Sequence, residues 1–397
     1  MTSRLLINPH APDGPVMTLA PPPQVEVRGL HERLPDYAPT PLVELPELAA
    51  SHGVGRVLVK AEVERMGLPS FKILGASWAT YRVVAALLAA DGVDVEAWSS
   101  IDELAELVAD ELGRLRFVTA TDGNHGRAVA HMARLLGADA TVLVPDGTAD
   151  ARIDAIAGEG AEVVVVDGTY DDAVAQSASL ADERTLVISD TSWPGYEGPP
   201  RWVVEGYSTI FGELDEQLRA AGVDRPDVVV VPLGVGALGA AAAGHYRAPG
   251  RRWTGRAEGD LPMLVGVEPD DAACVMAAVD AGEVVEVPGP HRSIMAGLNC
   301  GFASPIALPV VRAGFSAFVT VDDDRAAAAL RTLADAGLDV GETGAAALAG
   351  LSALVAEHST AFPVPNDATV VLLATEGVTD PANFEKITGR PPTTAIR

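Results

Sequence analysis

Short runs rich in Val, Ile and Thr alternate along this chain with Ala-rich segments, and that alternation restricts the fold more than any other feature of the sequence. The candidate strands are RVLVKAE (56–62), FVTA (117–120), ATVLVP (140–145), AEVVVVD (161–167), TLVISD (185–190), DVVVVPLG (227–234), MLVGVEP (263–269) and ATVVLLATEG (368–377). Several are apolar without a break, as strands buried on both faces are. Between them lie HGRAVAHMARLLGA, RIDAIAGEGA, ALGAAAAGHYR, DRAAAALRTLADAG and GAAALAGLSALVAEH, dominated by alanine, the best helix former. Strands and helices in that rhythm predict an α/β fold with mostly parallel sheets flanked by helices. The chain has 397 residues and no internal repeat of fixed period, which suits two domains of this kind. The expected division is 1–78 with 200–397 as a large domain, carrying an extended N-terminal arm at 1–25, and 79–199 as a small domain.

Charge and composition exclude several classes. The 28 Lys and Arg stand against 55 Asp and Glu, a net charge of −27, whereas nucleic-acid binding relies on clustered basic residues; no nucleic-acid partner is expected. The apolar runs are broken by charge or Gly within about 18 residues, the least that spans a bilayer, so no membrane segment is expected. The start MTSRLLINPHAPDGPVMTLAPPPQ lacks the continuous apolar stretch of an export signal. Cys274 and Cys300 are the only cysteines, too few for a disulfide framework. A cytoplasmic setting is the expectation, with no metal.

In open α/β sheets, ligands bind beyond the carboxyl ends of the strands. Several strands here end in small or polar clusters: TDGNHG (121–126), DTS (190–192), GVGALG (234–239) and TEGVTD (375–380). GVGALG runs from a strand into an Ala-rich helix, where close backbone approach and free N–H groups suit an anion. It also matches G-x-G-x-x-G, with Glu268 ending the next strand as a ribose-binding acid would, though late for the fingerprint. NAD, another phosphate ligand and a purely structural turn all remain open on that motif. In TDGNHG, Asn124 and His125 are candidate ligand contacts, while Thr121, Asp122 or Asn124 is equally a helix cap. Asp190 has the same two readings. Thr375, at the end of a very apolar strand, is harder to explain as a cap. Its hydroxyl can donate to a neutral ring nitrogen or accept from a protonated one.

GLPSFKILGAS (67–77) sets Lys72 at the start of an apolar helix. Locally the ordinary reading, a lysine that snorkels to water, outweighs a desolvated amine able to form a Schiff base.

Taken together, SFKILGAS, TDGNHGRAVA, GVGALG, GETGAA and TEGVTD resemble, in order and spacing, the tryptophan-synthase-β-like, fold type II, pyridoxal phosphate enzymes. With YDDAV (170–174), DTSWPGYEGPPRWVVEGY (190–207), VEP (267–269) and IMAGLNCG (294–301), the likeness extends over nearly the whole chain to the diaminopropionate ammonia-lyase branch of that family. The resemblance implies pyridoxal 5'-phosphate held by Lys72 as a Schiff base and Phe71 against the ring. It implies Asn124 on the ring hydroxyl, Gly234, Val235, Gly236, Ala237 and Leu238 around the phosphate, and Thr375 facing the pyridine nitrogen. It further implies β-elimination from 2,3-diaminopropionate to pyruvate and ammonia. In that reading Lys72 and Asp122 serve as bases toward L- and D-substrate, Asp190 contacts the substrate's second amine, and Thr121, Asp122, Gly123 and His125 lie about its carboxylate. A small amino-acid substrate and a homodimer are implied as well. Two stretches depart from the pattern, EVERMGLPSFK before the lysine and Asn299 in LNCG. A dehydratase or β-replacement enzyme acting on another β-substituted amino acid therefore stays open, as does, from another class, an NAD-dependent oxidoreductase.

Overall fold

The computed structural model describes residues 2–11, 24–93, 95, 98–121, 123–248 and 261–393. Among them are eleven strands: β1 (Leu5–Ile7), β2 (Leu42–Glu44), β3 (Arg56–Ala61), β4 (Arg116–Ala120), β5 (Asp139–Pro145), β6 (Glu162–Val166), β7 (Thr185–Val187), β8 (Val228–Pro232), β9 (Met263–Pro269), β10 (Ala317–Val321) and β11 (Thr369–Ala374). Every strand expected from the apolar runs is present. β10 and the three-residue β1 and β2 are additional; so short a run carries too little periodicity to separate it from loop.

The chain divides into two compact units, Met1–Pro21 with Pro39–Glu64 and Ile210–Arg397, and Pro22–Ala38 with Arg65–Thr209. These boundaries, 64/65 and 209/210, differ from the expected 78/79 and 199/200, so the segment bearing Lys72 belongs to the smaller unit. The larger unit holds a seven-stranded sheet in the order β1-β10-β9-β8-β11-β3-β2. Its five central strands are parallel and its two edges antiparallel. Both faces are covered, as the burial of Val228, Val229, Val230 and Val231 at 0 % exposure shows, and this accounts for the unbroken apolar runs. Within the expected arm 1–25, Leu5–Ile7 pairs with β10, helix Gln24–His31 begins at 24, and 12–23 lie outside the described residues.

The smaller unit is a four-stranded parallel sheet, β6-β5-β4-β7. Helix Lys72–Ala90 packs on helix Gly198–Gly206 with backbones nearly touching. A Cβ on Gly206 would fall 2.3 Å from the Leu74 carbonyl oxygen, and one on Gly75 would fall 2.5 Å from the Tyr207 ring. By length and composition Lys72–Ala90 is apolar enough to cross a membrane, longer than the broken runs suggested. Its burial explains that composition: Ile73 through Thr80, Val84 and Leu88 are all buried in the protein core.

Candidate active site

In the smaller unit, the functional side chains come from the starts of helices and the carboxyl ends of β4 and β7. Lys72 is the first residue of its helix, and its ammonium is not released to water. Lys72 Nζ lies 2.7 Å from Oδ2 of Asp190, and the two side chains are 18 % and 7 % exposed. The other carboxylate oxygen of Asp190 accepts from the Tyr170 hydroxyl at 3.0 Å. Burial pushes the Asp190 carboxyl up, but the Lys72 charge and the hydrogen bonds from Lys72 and Tyr170 outweigh it and hold the group well below the usual carboxylate range. Tyr170 opens helix Tyr170–Ser179, which the Thr169–Asp172 capping box fixes in place.

Asp190 is also held from its own side of the chain. Tyr196, in the turn at Gly195, folds back so that its hydroxyl donates to the Val187 carbonyl (2.7 Å) and accepts from the Ser189 N–H (3.1 Å). Between those contacts, the Ile188 carbonyl accepts from His125 Nε2 at 2.9 Å. A carbonyl only accepts, so the proton of neutral His125 sits on Nε2 and Nδ1 presents a lone pair. Nδ1 is buried with no partner among the described residues, and burial lowers the His125 pKa, which keeps the ring neutral.

Helix Asn124–Leu135 starts at Gly123, with φ at +150° and no side-chain cap. Thr121 Oγ1 instead accepts from the Gly123 N–H at 2.9 Å, so Thr121 shapes the turn rather than capping the helix. Asp122 lies outside the described residues. Phe71 meets the Tyr207 ring edge-on, with centroids 4.7 Å apart, and Lys72 Nζ stands 5.6 Å from the Phe71 ring centre. The Tyr207 hydroxyl is buried beside Lys72, and burial raises its pKa against the pull of the Lys72 charge. Sequence reasoning placed Tyr170, Tyr196 and Tyr207 within its motifs but assigned none of them a role. The Thr-Tyr-Asp-Asp start at 169–172 is a readable helix signal, but nothing local announces a partner for the ring that follows it.

In the larger unit, β8 and β11 are parallel neighbours whose carboxyl ends carry the glycine turn and Thr375. Successive carbonyls of the turn are tied to the protein. Gly234 O takes the Cys274 thiol at 3.6 Å, Val235 O the Ser304 N–H at 2.8 Å, and Gly236 O the Ala240 N–H at 2.8 Å. Among the described residues, no acceptor takes the N–H groups of Gly234, Val235, Gly236, Ala237 or Leu238. Gly236 has φ at +95° at the N-cap of helix Ala237–Tyr246, a conformation that costs any residue with a Cβ. On Gly234, a Cβ would stand 3.0 Å from the Gly297 carbonyl oxygen. The result is a row of free donors at a helix start, an anion seat. Thr375 is buried, and its hydroxyl makes a long 3.4 Å contact to the Thr343 carbonyl.

Two further sequence expectations are settled by geometry. Glu268 does not face a ribose: Oε1 accepts from the Val275 N–H at 2.7 Å and Oε2 from the Met276 N–H at 2.8 Å. Asn299 closes its own loop, donating to the Ser293 carbonyl and accepting from the Ser293 N–H. Cys274 and Cys300 are free thiols.

The chain belongs to the pyridoxal-phosphate dependent enzyme family, whose model matches residues 34–376. It is 35 % identical over 374 residues to diaminopropionate ammonia-lyase of Escherichia coli K12, covering 91 % of this chain and 89 % of that one. A crystal structure of the Escherichia coli ammonia-lyase in complex with D-serine superposes with a TM-score of 0.86 at 31 % identity, covering 98 % of this chain and 97 % of the other. The same enzyme in complex with an aminoacrylate-PLP azomethine reaction intermediate superposes at 0.83, also at 31 % identity, covering 98 % and 97 %. The cofactor is pyridoxal phosphate, which rules out the NAD reading of the glycine turn. Taken unit by unit, the donors suit that group: the larger unit offers five unclaimed backbone N–H groups for a phosphate and a buried hydroxyl at the end of β11 for a ring nitrogen, and the smaller unit offers a primary amine for an aldehyde.

Proposed function

We propose that this protein is a diaminopropionate ammonia-lyase, taking 2,3-diaminopropionate and water to pyruvate and two molecules of ammonia. The cofactor supplies an aldehyde that condenses with amines and a ring that disperses the electron pair left when the Cα–H bond breaks. Lys72 holds the aldehyde carbon, Phe71 packs on the ring, and Asn124 bonds the ring hydroxyl. The N–H groups of Gly234, Val235, Gly236, Ala237 and Leu238 hold the phosphate, and the Thr375 hydroxyl serves the pyridine nitrogen. Thr121, Gly123 and His125 lie about the substrate carboxylate.

The observation that carries the choice of substrate is the Lys72–Asp190 pair. Once Lys72 is committed to the cofactor, Asp190 is a buried carboxylate without its cation, a costly state. The β-ammonium of diaminopropionate restores the pair, whereas the neutral hydroxyl of serine or threonine does not. Asp190 thereby orients the second amine and keeps it protonated, so that it leaves as ammonia. Lys72 would take the Cα proton of the L-substrate, and Asp122 would take that of the D-substrate. Turnover of both enantiomers follows.

The test is keto-acid release from D- and L-2,3-diaminopropionate and D- and L-serine. Both diaminopropionate enantiomers are expected to be turned over with kcat/KM well above either serine. Preference for serine, or a product in which a second nucleophile has replaced the β-group, would instead establish a dehydratase or a β-replacement enzyme.

A further inference from the structure

Glu268 is fully buried at the end of β9, and its two oxygens are committed to one helix turn. Helix Cys274–Ala281 has no side-chain cap at its own N-cap, Ala273. Glu268 supplies that cap from outside, accepting from the Val275 and Met276 N–H groups. The turn held in this way forms a wall of the glycine turn. The Cys274 thiol donates to Gly234 O, and Val275 Cγ2 lies 3.5 Å from the point a Cβ on Gly236 would occupy. A carboxyl group is the side chain that can do this, because two converging N–H donors need an acceptor oxygen each. A glutamine offers one acceptor and sets its NH₂ against the other donor. Burying such a carboxylate is unfavourable, and burial does push the Glu268 pKa up, to about 8, against the pull of the two N–H donors.

We propose that Glu268 is a positioning residue for the phosphate seat. By capping the 274–276 turn it fixes the backbone against which Gly234 and Gly236 rest, so that the free N–H groups stay convergent. The proposal rests on the reading of residues 234–238 as the phosphate site. It requires that the effect be specific to the phosphate end of the cofactor.

The experiment titrates pyridoxal phosphate and phosphate-free pyridoxal into the cofactor-free wild type and Glu268→Gln, with circular dichroism as the check on folding. Glu268→Gln is expected to lose about tenfold in affinity for pyridoxal phosphate, the scale of one lost hydrogen bond, with pyridoxal affinity unchanged. The ³¹P resonance of the bound cofactor is expected to move toward its free position. Equal losses for both ligands, or no loss, would overturn the proposal. Should Glu268→Gln not fold, hydrogen exchange of peptide 270–280 in the wild type decides: protection by pyridoxal phosphate but not by pyridoxal supports the role, and equal protection or none refutes it. A wild type that takes up neither ligand would refute the phosphate-site reading itself, a separable outcome.

Discussion

The Tyr170 hydroxyl donates to Oδ1 of Asp190 at 3.0 Å, on the oxygen that Lys72 leaves unoccupied. Both oxygens of a buried carboxylate are thus satisfied, one by a charge that the cofactor claims in the proposed assignment and one by a neutral group that stays. Tyr170 is what holds Asp190 in place when Lys72 is committed elsewhere. Tyr170→Phe removes a hydrogen bond to a charged group, worth about 1.5–3 kcal/mol. The expected result is a loss of at least tenfold in kcat/KM for diaminopropionate with cofactor affinity unchanged, read from steady-state kinetics and a cofactor titration.

The same pair makes stability depend on pH. In the folded protein Lys72 and Tyr170 hold the Asp190 carboxyl below its unfolded value despite burial, so the unfolded chain binds that proton more readily. Stability from this group is therefore present above the unfolded pKa of about 3.9 and is lost as pH falls through the folded one. Urea unfolding of the cofactor-free protein should show Asp190→Asn less stable than wild type by a constant margin from pH 7 to about pH 4.5, closing as acid is added. A margin that does not change with acid would mean the carboxylate charge is not what stabilises the fold.

How much of this could be read in the chain depends on the range of each interaction. The strands of both sheets were legible because burial on two faces leaves runs such as VVVVP (228–232) with no polar residue to obscure them. The glycine turn was legible because its free N–H groups and positive φ are local properties of Gly-x-Gly before a helix. Thr375 stood out as a hydroxyl ending an apolar strand. Asp190 as the partner of Lys72 was not derivable from the residues, since 118 positions separate them and only the tertiary packing of the smaller unit, with the Lys72 helix set on helices Asn124–Leu135 and Gly198–Gly206, brings them together. The role of Glu268 stayed open because the fingerprint expects an acid after the next strand, whereas this acid serves the helix that follows it.

Gly236 offers a test of the anion seat. At φ +95° an alanine is strained by about 1–2 kcal/mol, and relief of that strain turns the adjacent N–H groups away from a common point. Gly236→Ala is expected to weaken pyridoxal phosphate binding by tenfold or more while the protein keeps its secondary structure, measured by equilibrium dialysis and circular dichroism. Unchanged affinity would place the phosphate elsewhere.

Covalent attachment is checked chemically. Borohydride reduction of the wild-type holoenzyme, followed by proteolysis and mass spectrometry, should leave the phosphopyridoxyl mass on the peptide that contains Lys72. Lys72→Ala should carry no such mass on any peptide, yet retain cofactor through the glycine turn until the protein is denatured. The mark appearing on another lysine of the wild type would contradict the assignment.

Two bases for two enantiomers predict an asymmetric response to losing one of them. If Lys72 takes the proton from L-diaminopropionate and Asp122 from the D-form, Asp122→Asn removes a base from one reaction only, while Asp190 and the phosphate seat continue to serve both. kcat/KM for the D-substrate should then fall by at least 10²-fold, the range of general acid–base catalysis, and that for the L-substrate by much less. Because both enantiomers share the cofactor and the leaving group, the ratio of the two kcat/KM values cancels any general damage to the site. Equal losses would assign Asp122 a binding role common to both reactions and leave Lys72 as the base for each.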